Sequence, residues 1–162
     1  MGKHLSARPQ RTISATRDAV WAVLADFGNI SRWNDGVKNS WLTGPVSTGV
    51  GATRHCDLKP LGQLEETVRE WVENERMVVQ IDSVKVLPIE SGQVTFSLIH
   101  AGEGATKVTV EYDYTTKWGA VGRLLDSRIA DQLTTGFEGF LDDLAAAAEI
   151  AAADTTTAGG PQ

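Results

Sequence analysis

Three chemically versatile side chains stand in a row in this chain: His55, Cys56 and Asp57. A thiol beside an imidazole suggests a nucleophile with its base, and the three together suggest metal ligands. The geometry of the backbone argues against both. Gly51 to Leu58 reads as a β-strand, in which successive side chains point to opposite faces. His55 and Asp57 then share one face and Cys56 takes the other, so the thiol and the imidazole point apart. A tetrahedral metal site would need ligands from distant segments, and His100 is the only other histidine outside the N-terminal segment. Neither a metal nor a cofactor is expected.

Carboxylates are the second chemical resource. Glu65, Glu66, Glu70, Glu111 and Asp113 fall on segments that read as adjacent strands. A buried one would have its pKa raised by apolar surroundings and could serve as general acid or base. The commoner arrangement places such acids on the solvated face. Tyr112 and Tyr114 offer phenol donors or ordinary core packing. Glycine loops that cradle phosphates are absent, because Gly49-Val50-Gly51 opens a strand rather than a helix.

The elements that must position these groups follow from periodicity. Ala7 to Ser14 reads as a first strand. Thr16 caps a helix carrying Val20, Trp21, Val23, Leu24 and Phe27, stopped by Gly28-Asn29, and a second short helix spans Ile30 to Trp33. Short strands then alternate with turns: Val37–Leu42, Gly51–Leu58, Gln63–Val72, Met77–Ser83, Gln93–His100 and Lys107–Lys117. Val84 to Ser91, with Pro88, reads as a loop or ragged edge. From Gly119 to Ala148 a long amphipathic helix carries Leu125, Ile129, Leu133, Phe137, Phe140 or Leu141, and Leu144 on one stripe. Gly136 and Gly139 interrupt it, each at a cost of roughly 1 kcal/mol against alanine. A close contact, a bend or a cavity beside the helix would offset that cost.

The predicted fold is α+β, with a seven-stranded antiparallel sheet and the helices on one side. Alternation assigns Val79 and Ile81, then Val94, Phe96 and Leu98, then Val108, Val110, Tyr112 and Tyr114 to the face under the long helix. A single bulge would invert a strand's parity beyond it.

Composition narrows the function. The chain of 162 residues carries a formal charge of −6 and a pI near 5.0, which argues against nucleic acid as partner. One cysteine excludes an internal disulfide and fits a reducing, cytoplasmic compartment. No apolar run is long enough to span a membrane, and no signal peptide is recognisable. Met1 to Ser6 matches the short N-myristoylation consensus, a pattern common by chance, and is set aside. A domain over residues 7–150 is expected, with flexible tails at 1–6 and 151–162.

The ordered elements, with their local signals, resemble the START-like (SRPBCC) superfamily. The nearest likeness is to its bacterial polyketide cyclase/dehydrase and lipid-transport-like proteins. The resemblance rests on Trp21-Ala-Val-Leu-Ala-Asp-Phe27 with Ile30-Ser-Arg-Trp33, on Val50-Gly-Ala-Thr-Arg54, and on Leu64-Glu-Glu-Thr-Val-Arg-Glu-Trp71 with Glu75-Arg76. Gly104-Ala-Thr-Lys-Val108 and Gly122-Arg-Leu-Leu125 complete it, so that it covers about Pro9 to Ala148.

The resemblance implies a helix-grip fold: a curved sheet wrapped around the C-terminal helix, two short helices after the first strand, and a hydrophobic cavity between sheet and helix. The expected cavity residues are Arg54, Cys56, Leu58, Val79, Ile81, Phe96, Leu98, Tyr112, Leu133, Phe137 and Phe140. Arg54 either holds a carboxylate or phenolate of the ligand or pairs on the wet face with Glu66 or another neighbouring-strand acid. Glu111 is a second possible polar anchor, although strand parity turns it outward. Lys59-Pro60-Leu61-Gly62 is the candidate lid, and Trp33, Trp41 and Trp118 either pack over the entrance or anchor the fold. The expected partner is a hydrophobic small molecule, bound by a monomer or homodimer in a bacterial cytosol without stable membrane insertion. Two functions fit: a carrier of a lipid, polyketide or related metabolite, and an aromatase/cyclase-type enzyme. If Phe96, Phe137, Phe140 and Tyr112 fill the cavity, the protein works through its surface instead.

Overall fold

Alternating apolar residues give each strand one face to bury, and consecutive antiparallel pairing lets all of them bury it together. The strands are β1 (Gln10–Ile13), β2 (Val37–Leu42), β3 (Thr53–Leu58), β4 (Gln63–Val72), β5 (Arg76–Lys85), β6 (Ile89–His100) and β7 (Thr106–Thr116). A computed structural model describes residues 8–157 of the chain. The consensus at Met1–Ser6 and the predicted strand start at Ala7 therefore lie outside the described residues. The strands form one antiparallel, curved sheet in the order β1-β7-β6-β5-β4-β3-β2, matching the expected α+β helix-grip arrangement.

Two helical pieces connect β1 to β2. Helix α1 (Arg17–Ala25) starts at Thr16, whose hydroxyl accepts the Ala19 N–H at 3.3 Å, with Asp18 favourably placed in the first turn. It ends before the predicted Gly28-Asn29 stop. Those two residues instead lie inside a 3₁₀ helix, Phe27–Arg32, kinked at Asn29. A close approach explains Gly28, since a Cβ there would sit 2.8 Å from Leu42 Cγ.

The long helix α2 (Gly119–Thr157) packs unevenly. Leu141, Leu144, Ala145 and Ala148 are buried, and this part of the helix meets α1 and β1. Hydrogen bonds from Ser14 N to Glu149 Oε1 (3.1 Å) and from Asp35 N to Asp143 Oδ2 (2.8 Å), with an Arg11–Asp142 ion pair, fasten the same half to β1 and to the loops around it. Towards the other end, Leu124 and Leu125 are exposed. The helix also runs past Ile150, where the sequence suggests fraying. The alanine-rich segment has high helix propensity, and Thr155 Oγ1 bonds back to Ala151 O at 2.7 Å.

Val84 to Ser91 departs most from expectation. Only Val86, Leu87 and Pro88 lie between strands, because Pro88 forbids a ladder donor at its own position and not at its neighbours. Register shifts leave Asp82 in β5 and Glu90 in β6 without a residue directly opposite in the ladder. Each inserts one residue and inverts the alternation beyond it. Val84 and Ile89 thereby turn inward and are buried.

The glycines of α2 differ sharply in what surrounds them. A Cβ at Gly122 would lie 2.6 Å from Lys117 O, whereas a Cβ at Gly136 or Gly139 would meet nothing within 4 Å. Gly122→Ala should therefore destabilise the protein by about 1–3 kcal/mol through overpacking. Gly136→Ala should stabilise it by about 1 kcal/mol through helix propensity. Urea unfolding of both variants measures the contrast in sign.

Candidate functional site

Because α2 is held mainly through its C-terminal half, its earlier turns stand off the sheet. The space between them is a cavity of about 500 Å³. Its sheet wall contains Leu58, Leu64, Ile81, Val94 and Phe96, and its helix wall Ile129, Leu133, Phe137 and Phe140. Gly136 also borders it, which accounts for the open space at that residue. The turn after β3 edges the mouth through Lys59, Pro60 and Leu61, all exposed.

Alternation along β3 carries Arg54, Cys56 and Leu58 to the cavity side, as the strand parity requires. Arg54 sits opposite Glu66 in the β3–β4 register. Arg54 Nε donates to Glu66 Oε2 at 2.6 Å and Nη1 donates to Phe27 O at 2.9 Å, while the guanidinium lies 4.0 Å over the Phe27 ring. Both side chains are buried, at 8% and 9% exposure. Arg54 thus pairs with Glu66, as one expectation has it, but on the cavity side rather than on the wet face. The Cys56 thiol lies 3.8 Å from the same Glu66 oxygen. Burial is the main cause that pushes this thiol up to about 12, so it stays protonated and is no nucleophile at neutral pH.

Five of the expected site residues are elsewhere. Val79, Leu98 and Tyr112 face inward but belong to the packed core rather than the cavity wall. Tyr112 stacks on Phe137 at 4.6 Å and its hydroxyl is 2.9 Å from Thr134 Oγ1. Alternation identifies the inward face but not where along it the helix lifts away. Glu111 points outward and pairs with Arg8 at 3.4 Å, because the β7 register is regular around it and Val110 and Tyr112 take the inner face. Gly62 closes the turn, accepting from Leu58 N at 2.8 Å, and does not line the cavity.

The aromatics expected at the entrance take other places. Trp33 packs edge-on against Phe140 at 5.1 Å, Trp41 stacks on His55 outside the sheet, and Trp118 is exposed. Conversely, Asn34, Leu64, Val84, Ile89, Ile129 and Gln132 line the cavity without having been expected there from sequence. Ile129 lies on the helix stripe, and only the position of the cavity is missing from that pattern. Glu66 stands in the sequence as one acid among several, with no sign that its face is the buried one.

His55 and Asp57 share the opposite face, as predicted. One ring nitrogen of His55 bonds Glu65 and the other is 3.0 Å from Asp57 Oδ1, which also accepts from Gln63. The Glu65 hydrogen bond chiefly raises the His55 pKa, helped by Asp57 and opposed by desolvation. The His55 bond in turn lowers that of Asp57. No group of three or more His, Cys, Asp or Glu side chains among the described residues is arranged to hold a metal ion. No helix among them is long and apolar enough to cross a membrane.

A curved antiparallel sheet gripping one long helix around an apolar cavity defines a ligand-binding fold of the START kind. Residues 4–149 match the family described as polyketide cyclase/dehydrase and lipid transport, and the chain belongs to that family. Solved structures share its fold. A Thermus thermophilus protein aligns with TM-score 0.77 at 16% identity, covering 91% of this chain and 99% of its own. The Zhui aromatase/cyclase of a Streptomyces species gives 0.76 at 10% identity, with 91% and 94% covered. A START superfamily protein of Mycobacterium smegmatis gives 0.65 at 17%, with 88% and 99% covered. No curated protein matches the sequence.

Two expectations follow from these charges. Arg54→Met alone should cost about 3–5 kcal/mol by stranding Glu66, and adding Glu66→Leu should recover most of that loss in urea unfolding. The raised His55 pKa contributes stability that is complete below its ordinary 6.5 and is lost as pH rises through the folded-state value. Wild-type stability should therefore fall over that window, and His55→Gln should flatten the profile there.

Proposed function

We propose that this protein binds a hydrophobic small molecule, a lipid, polyketide or related metabolite, between its sheet and α2, and carries it in the cytosol. The reading rests on the cavity itself. About 500 Å³ lies within the roughly 300–1,000 Å³ typical of small-molecule sites, and the walls are mostly apolar with few polar groups. Apolar burial supplies the affinity, at roughly 25 cal/mol per Å² removed from water, and Arg54 and Glu66 orient the polar end. Lys59, Pro60 and Leu61 serve as the lid.

A second reading is an aromatase/cyclase-type enzyme. It is favoured by Glu66, a carboxylate inside an apolar cavity and able to accept a substrate proton. The carrier reading is preferred because Glu66 is already engaged by Arg54 and the Cys56 thiol is held protonated, so no assembled acid–base pair faces the cavity.

Native mass spectrometry of freshly purified protein, followed by solvent extraction, should release an apolar molecule. Wild-type protein should also take up the uncharged dye Nile red, and Gly136→Trp, which fills the cavity, should weaken uptake by roughly tenfold or more. Absence of both bound molecule and dye uptake would refute the binding reading. A candidate ligand turned over by wild type but not by Glu66→Gln would move the assignment from carrier to enzyme.

A further inference from the structure

Resting on the binding role proposed above, we infer that the cavity selects an uncharged ligand that donates a hydroxyl hydrogen bond to Glu66, and that it rejects carboxylates. The balance of charge at the inner end comes first. Arg54 and Glu66 both line the cavity and both are buried, so their charges cancel where solvent cannot screen them. A ligand carboxylate beside them would make two negative charges against one positive. It would also be desolvated without a cation of its own.

The hydrogen bonds point the same way. Glu66 Oε2 receives both Arg54 Nε and the weak Cys56 thiol contact. Oε1 has no protein donor among the described residues, and it is not among the fully enclosed polar atoms that lack one. It is therefore an accessible, charged acceptor in an apolar cavity, and the ligand group that satisfies it is a donor. An alcohol or phenol supplies that donor, and an ionised carboxylate supplies none. Nε and one Nη1 hydrogen of Arg54 already serve Glu66 and Phe27 O, and the N–H groups left over belong to a charge that Glu66 neutralises, so they suit the neutral oxygen of the same hydroxyl better than an anion. The other cation bordering the cavity, Lys59, is exposed at the mouth and lies outside this pair.

Matched probes on the full chain test this at pH 7: 2-naphthol, its methyl ether 2-methoxynaphthalene, and 2-naphthoate, each titrated against bound Nile red. Wild type should bind 2-naphthol at least tenfold more tightly than either of the others, since one lacks the donor and the other adds the charge. Glu66→Gln leaves Arg54 uncompensated and should shift the naphthol-to-naphthoate ratio towards naphthoate by tenfold or more. Arg54→Gln/Glu66→Gln, uncharged, should keep naphthol ahead. Wild type binding naphthoate or the methyl ether as tightly as naphthol would overturn the inference, and that comparison needs no variant to fold. A ratio indifferent to Glu66, as when naphthoate is held at the mouth by Lys59, would overturn it too. If wild type takes up Nile red but fails these comparisons, only the selectivity is refuted; if it takes up no dye, the binding reading falls and this inference with it.

Discussion

The long helix is held mainly through one half, and the rest of the molecule follows from that asymmetry. Leu141, Leu144, Ala145 and Ala148 are buried where the helix meets α1 and β1, while polar contacts from Ser14, Asp35 and Arg11 hold its flanks. The earlier turns lack a comparable set of buried anchors. They span the sheet at a distance, and the gap becomes a cavity instead of a core. The cavity therefore begins with a packing decision made far along the chain from the polar residues that line it.

Those polar residues occupy an expensive position. A buried ion pair rarely stabilises a protein more than apolar residues of the same volume, because desolvation offsets the attraction. Arg54 and Glu66 are nevertheless supported on several sides, by the Phe27 carbonyl and ring and by direct cross-strand register. Such support holds the pair in one orientation at the cavity wall. The two faces of the same strands divide the chemistry cleanly. Arg54, Cys56 and Glu66 turn inward, while His55, Asp57 and Glu65 make a hydrogen-bonded cluster outside, stacked under Trp41.

Much of this is legible in the sequence, and the gaps have physical causes. Strict alternation is enough to place Arg54, Cys56 and Leu58 on one face and His55 and Asp57 on the other, because β3 keeps regular register with β4. It is not enough for Val84 and Ile89, which lie beyond bulges that leave no mark in composition. Alternation puts Val79, Leu98 and Tyr112 on the correct face but not at the correct depth, since the height of a helix above a sheet is a tertiary property. Glu66 reads like a surface acid because a charged residue in a strand usually faces water. Its burial depends on Arg54 standing opposite, a pairing visible only once the register is known. The alanine-rich end of α2 reads as weaker than it is for a local reason: small residues offer little to pack but cost little to keep helical.

The bulges at Asp82 and Glu90 have a consequence for how this cavity can change. Each acts as a phase switch in its strand, so the identity of the inward residues near the mouth is set by how the strands pair as much as by residue type. Pairing Asp82 or Glu90 regularly would exchange Val84 for Ser83, or Ile89 for Glu90, on the inner face, whereas deleting either residue would restore alternation and keep Val84 or Ile89 inward. The cavity's rim is thus open to revision by a shift of pairing, whereas its inner end, where Arg54 and Glu66 face each other in regular β3–β4 register, is revised by substitution.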